Sequence, residues 1–282
     1  MTTPPPVDPR FGAPIASRPA RRTGLLIGIG VGAGLLVVVA AVVAVSVLAS
    51  ALADRRAARA EAIAKMNAES ARLKNEMDVD ADLSDPEQAR KFDGAVDRMS
   101  DAAGSLDARM KPMVRTVMEE FGTIGKEASA ASKRLEDAGG IDPSTMPTLA
   151  SANARLALLQ SCKAAGEGAL RRVKGVVALA RATGTQNGLS EKEINAFVAG
   201  MNKTGNIDKL TRVREIDVEL YGLFIQSVTA LRDNFGNWEV QDGELIFTAA
   251  PEGTQATYDG FAERMEALAA EQNAVIQQLQ GR

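Results

Sequence analysis

Residues 92–117 read FDGAVDRMSDAAGSLDARMKPMVRTV. Within them Phe92, Val96, Met99, Ala103, Leu106, Met110, Met113 and Val117 recur at alternating four- and three-residue steps. Residues so spaced share one face of a helix. The stripe runs on through Phe121, Ile124, Ala128, Ala131 and Leu135 after one additional four-residue step. Such a step is a stutter, which locally unwinds a coiled coil. An apolar stripe of this length needs a partner helix to bury it. Pro112 sits in its middle, where proline removes a hydrogen bond and crowds the preceding turn. Because the periodicity passes straight through Pro112, the spacing predicts one kinked helix rather than a turn. Gly139-Gly140 ends it.

The pattern repeats downstream. Another helix is expected from about Thr148 to Thr183, with Leu149, Ala152, Leu156, Leu159, Cys162, Gly166, Ala169, Val173, Val176 and Ala180 inward. Small residues dominate this stripe, so its partner can come close but gains little area per contact. Residues 184–188 form a turn. Ser190 and Glu193 are spaced as a capping box, and Leu189 with Ile194 as a hydrophobic staple. A short helix follows to about Asn202. Another spans Asp208 to Asn234, with Leu210, Val213, Leu220, Phe224, Val228, Leu231 and Phe235 inward. The last spans Thr254 to Gln280 with Tyr258, Phe261, Met265, Leu268, Gln272, Val275 and Leu279 inward. Gln272 is its one polar member, the kind of residue that sets register between helices.

One segment is not helical. Asp242-Gly243 between apolar runs is a strong hairpin signal. A two-residue turn pairs Gln241 with Glu244, Val240 with Leu245, Glu239 with Ile246, and Trp238 with Phe247. Alternation then puts Trp238, Val240, Leu245 and Phe247 on one face, expected to pack on the helices. Eight of the eleven aromatic residues follow residue 195. The chain from 189 to 282 therefore reads as a compact helical head, with Trp238, Phe247 and Tyr258 as its core or its interaction surface.

Upstream, Gly24 to Ala53 is an apolar run of thirty residues without charge, proline or amide. About 20 suffice to cross a bilayer. The expected organisation is a Pro-rich disordered tail (1–22), a transmembrane helix (23–53), a stalk and long-helix bundle (54–188) and the head (189–282) with its hairpin (238–247). Gly24, Gly28 and Gly32 lie on one stripe of the span and offer a face for helix pairing, hence homodimerisation through the span or the coiled coil. Flanking basic residues tie, with Arg10, Arg18, Arg21 and Arg22 before the run and Arg55, Arg56, Arg59 and Lys65 after it. A short basic tail before an apolar run reads as an uncleaved signal anchor. That places the protein in a bacterial inner membrane, single-pass, with the C-terminal domain in the periplasm. Ala49-Ser50-Ala51 would fit cleavage, but the run is longer than a signal-peptide core.

Composition excludes more than it names. From Asp54 onward 29 basic and 35 acidic groups remain, a mild acidity that argues against a nucleic-acid partner. There is no His and one Cys, so His-based triads and zinc, haem or copper sites lack their ligands. Cys162, on an apolar helix face, reads as a small buried hydrophobe. Asp78, Asp80 and Asp82 have the spacing that opens a calcium loop, but Leu83 and Ala89 stand where that loop needs Gly and Glu. They remain only a weak calcium candidate, and an acidic turn before a helix is the simpler account. No phosphate-binding loop or dinucleotide fingerprint is present, and no cofactor is expected. The fold class is all-α: a single N-terminal transmembrane helix continuing into a coiled-coil-like bundle, with one small hairpin. The expected function is a non-enzymatic scaffold or adaptor that presents a protein-interaction surface away from the membrane. The alternative is a periplasmic ligand-sensing bundle signalling through a partner. It resembles the helical bundles of chemoreceptors, which have two spans where this sequence has one apolar run.

Overall fold

The computed structural model describes residues 82–280, apart from 205, 242 and 243, together with Ala68 and Arg72. The expected tail, transmembrane helix and stalk lie outside the described residues. Among the described residues no helix is long and apolar enough to cross a membrane. What is described is mostly helical with one small hairpin.

Asp85 starts the first of these helices, α1 (Pro86–Leu106), its carboxylate accepting from the N–H groups of Glu87 and Gln88. Pro86 takes the first helical position, where a missing N–H leaves nothing unpaired. The expectation of one kinked helix fails at Asp107. That residue is extended, with φ −153° and ψ 118°, and its carboxylate accepts from the Arg109 N–H at 2.9 Å. The next helix, α2 (Met110–Asp137), begins directly after this turn. Pro112 thus lies in the first turn of α2, where backbone N–H groups have no intrahelical partner to lose.

The long stripe therefore folds back on itself. Arg115 meets Asp97 at 2.8 Å, Lys111 meets Asp101 at 2.5 Å and Lys126 meets Asp93 at 3.3 Å, so α1 and α2 are antiparallel. Phe92, Val96, Met99 and Ala103 of α1 are buried with Met110, Met113, Val117 and Phe121 of α2. Each fully buried large side chain of this kind contributes about 1.5–3 kcal/mol. The partner that the stripe demands is its own second half. Gly122 makes the closest approach, since a Cβ there would overlap the Phe92 ring.

Gly139 and Gly140 end α2 as expected. Gly139, at φ 87°, lets its N–H reach Glu136 O at 2.7 Å while the Gly140 N–H reaches Leu135 O at 2.8 Å. These two bonds satisfy carbonyls that the helix leaves open. After a 3₁₀ turn at Pro143–Thr145, Thr148 and Ser151 form a capping box that opens α3 (Leu149–Gln186). Its 38 residues span about 57 Å. The expected inward residues are buried, Cys162 among them, with two exceptions. Gly166 is only half-buried, and Leu149 is 48% exposed. As the first helical residue, Leu149 points back past the helix N-terminus.

Then come α4 (Glu191–Thr204) and α5 (Ile207–Asp233), the strands β1 (Trp238–Gln241) and β2 (Glu244–Phe247), and α6 (Thr254–Gln280). Ser190 and Glu193 make the predicted box: the Ser190 N–H donates to Glu193 Oε2 at 2.7 Å and the Glu193 N–H to Ser190 Oγ at 3.4 Å. Leu189 and Ile194 are buried beside it. Packing is serial: α1 on α2, α2 on α3, α3 on α5, α5 on α6, with α4 against α3 and α5. Two apolar clusters fill the layers. One holds α1, the first half of α2, the second half of α3, α4, the start of α5 (Ile207, Leu210 and Val213) and Ile276. The other holds the end of α2, the first half of α3, most of α5, Met265 and Leu268. Residues on both sides of 188 contribute to each.

The hairpin has the predicted register, Trp238 opposite Phe247 through Gln241 opposite Glu244. Trp238, Leu245 and Phe247 pack against the second cluster. Val240, expected on the same buried face, is 45% exposed, and Phe235, expected inside, is 37% exposed. Phe235 follows the last residue of α5, and Val240 lies toward the turn end of β1, past Trp238.

Candidate functional site

The hairpin end of the molecule is assembled from three elements. Asn234, the C-cap of α5, donates its N–H to Ala230 O and lets the chain turn. Trp238 then folds back, its indole N–H donating to Leu231 O at 2.9 Å. This bond satisfies the polar end of a largely apolar ring. The Phe235 and Trp238 rings meet edge to face, 6.1 Å between centres. Phe247 and Tyr258 meet in the same way at 5.6 Å, which ties β2 to α6. Burial raises the Tyr258 hydroxyl to a pKa of about 12, with Asp259 and Asp142 adding to the effect. Trp238, Phe247 and Tyr258 are thus brought to one end of the second cluster. They are half-buried; Phe235, Val240 and Ile246 are exposed, Ile246 on the hairpin face opposite Trp238 and Phe247.

The remaining sequence candidates fare differently. Gly24, Gly28, Gly32, Asp78 and Asp80 lie outside the described residues. Asp82 Oδ1 accepts from the Ser84 N–H at 2.8 Å and the Ser84 hydroxyl at 2.6 Å, so this oxygen shapes the turn before α1. Among the described residues no three His, Cys, Asp or Glu side chains converge on a point where a metal could sit. Cys162 is buried, its thiol 3.4 Å from Ala131 O, and burial pushes its pKa up despite Arg134 nearby. A thiol so placed packs rather than reacts.

The sequence reading missed a buried polar cluster. Arg214 Nη1 lies 2.8 Å from Asp217 Oδ2 on α5, both almost fully buried. Gln272 of α6 reaches across and donates to Asp217 Oδ1 at 2.6 Å. Burial drives the Asp217 carboxyl above its usual range, against the opposing pull of Arg214 and the Gln272 bond. Arg214 Nε and Nη2 and Gln272 Oε1 have no hydrogen-bond partner among the described residues. A signal was available: Asp217 is the skipped middle member between Val213 and Leu220. It and Gln272 are polar residues standing in apolar stripes on neighbouring helices. Around this cluster, Arg212 grips Glu271 through two bonds of 2.7 and 3.0 Å, and Glu219 holds Arg212 and Arg264.

A second buried cation closes the α2–α3 connection. Arg155 donates to the carbonyls of Gly140 and Ala138 and, at 3.4 Å, to the Thr145 hydroxyl. Its guanidinium sits at the negative end of α2 and satisfies carbonyls the helix leaves behind. Elsewhere, an open groove of about 590 Å³ runs between α2 and α3, lined by Glu127, Ala164, Ala165, Gly168, Arg171 and Arg172.

No family model, curated protein or solved structure matches this chain.

Proposed function

We propose that this chain is a single-span protein of a bacterial inner membrane whose periplasmic helical bundle is a non-enzymatic adaptor. The apolar run from Gly24 to Ala53 supports the anchor. One observation carries the adaptor reading. Phe235, Val240 and Ile246, three of the four exposed large hydrophobics among the described residues, fall on or just before the hairpin, with Val240 and Ile246 on its opposite faces. Single exposed apolar residues are ordinary, but a gathered set rimmed by polar groups marks an interaction site. The test is in-cell crosslinking through a photo-reactive residue introduced at Phe235, followed by identification of the captured protein. A defined partner supports the adaptor. A chain that stays monomeric and captures nothing overturns it.

The α2–α3 groove favours a second reading, a periplasmic ligand sensor that signals through a partner. Arg171, beside an Arg172 that Glu127 and Glu120 hold at 3.5 and 3.7 Å, would orient a small anionic ligand against the alanines and glycine of the groove. Such a ligand would raise the melting temperature of the protein, because it binds only the folded state. A panel of small molecules that leaves melting unchanged counts against it.

A further inference from the structure

The hairpin has two edges, and among the described residues only one is closed. The Thr248 N–H donates to Asn237 O at 2.8 Å, which makes these two residues a bonded pair. Counting inward by twos along the register, Glu239–Ile246 and Gln241–Glu244 are the other bonded pairs. Trp238–Phe247 and Val240–Leu245 are the non-bonded pairs, and they turn their N–H and C=O groups away from the partner strand. On β2 those outward groups are taken. Gln255 of α6 accepts from the Phe247 N–H at 3.0 Å and donates to Leu245 O at 3.2 Å. One side-chain amide thus occupies the place of a third strand. On β1 the equivalent groups of Val240 face outward on a strand that is exposed from Glu239 to Gln241.

The hairpin and its flanking loops carry charge of one sign, between Arg232, which pairs with Asp233 at 2.6 Å, and Arg264. From Asp233 to Glu263 the chain carries seven carboxylates and no lysine or arginine. Glu239 and Glu244 face solvent on the hairpin itself. A second copy of the hairpin would bring these carboxylates together, and like charges across strands are destabilising.

We propose that the outer edge of β1 docks an extended, basic segment of a partner protein as an added third strand. Backbone bonds to Val240 give the docking its register, lysines or arginines on one face of the segment answer Glu239 and Glu244, and apolar residues on its other face cover Val240. This rests on the adaptor reading and specifies the partner's chemistry.

Val240→Pro isolates the edge. Proline is tolerated where a strand's N–H faces solvent, so the hairpin keeps its own ladder while the docking donor is lost. The probe is a labelled heptapeptide alternating lysine and valine, titrated into the full-length chain and followed by fluorescence anisotropy. Saturable binding is expected that weakens with added salt and is about tenfold weaker in Val240→Pro than in Val240→Thr, with equal thermal melting of the two variants. No binding to the wild-type chain, or equal binding by both variants, overturns the proposal. The Phe235 crosslink is then repeated in the Val240→Pro background. Loss of the captured partner, with its crosslinked peptide rich in lysine or arginine, supports edge docking. Undiminished capture, or capture of a second copy, leaves the adaptor standing and sinks the edge.

Discussion

Gln272 of α6 and Asp217 of α5 meet at 2.6 Å inside the apolar packing of two helices, with Arg214 2.8 Å from the other carboxylate oxygen. The three groups hold each other because none can reach water. Gln272→Leu strands one Asp217 oxygen and should cost about 1–3 kcal/mol. Asp217→Ala strands the Arg214 charge and should cost more, about 3–5 kcal/mol. The double variant should lose less than the sum, because the two residues act on one another. Equilibrium urea unfolding of the four proteins measures this, and strict additivity would show that the cluster is not a unit.

The pH response of two carboxylates should have opposite sign. Asp217 has its folded pKa raised above 3.8 by burial. The native state then binds the proton more tightly than the unfolded state. Its contribution to stability is full below 3.8 and is lost as pH rises through the folded value. Glu193 has its folded pKa lowered below 4.5, first by its Ser190 hydroxyl bond. Its contribution is present above 4.5 and is lost as pH falls. Thermal melting of Asp217→Asn and Glu193→Gln against wild type, between pH 3 and 7, reads both trends. Parallel curves for either variant would contradict the corresponding direction.

Gly122 lets α1 and α2 touch through the Phe92 ring. Gly122→Ala would normally favour a helix, by about 1 kcal/mol. Here the added methyl must displace a fully buried ring, and overpacking should reverse the sign to a net loss of about 1–3 kcal/mol. A Phe92→Leu background should recover part of the loss. A stabilised Gly122→Ala protein would mean that the two helices are farther apart.

Pro112 distinguishes a turn from a kink. In the interior of a continuous helix its replacement by Ala should stabilise by about 3 kcal/mol. In the first turn of α2 the change should stay within about 1 kcal/mol. Urea unfolding of Pro112→Ala separates the two cases.

Periodicity and caps made most helices and the hairpin register legible from sequence. The strongest stripe misled about connectivity for a specific reason. The turn at 107–109 preserves the seven-residue step from Ala103 to Met110, so two antiparallel helices carry the phase of one. Asp107, able to accept its neighbour's N–H, was the local signal against continuity. The exposed positions, Leu149, Phe235 and Val240, were misread because spacing names a face but not where the covering element stops. Asp217 was passed over because a carboxylate in an apolar stripe makes sense only once Gln272 is placed opposite it.

The serial order of the layers implies an unequal resistance to opening. α3 is flanked by α2 and α5 and touched by α4, whereas α1 has α2 as its main neighbour and α6 has α5. The outer helices can detach without exposing the middle, but α3 cannot be solvated until both sides have gone. Amide protons in α1 and α6 should therefore exchange through partial openings, and those of α3 only through global unfolding. Under the proposed docking at β1, α6, which holds the hairpin's other edge, would be among the first elements to loosen, while the spine beneath it keeps its shape.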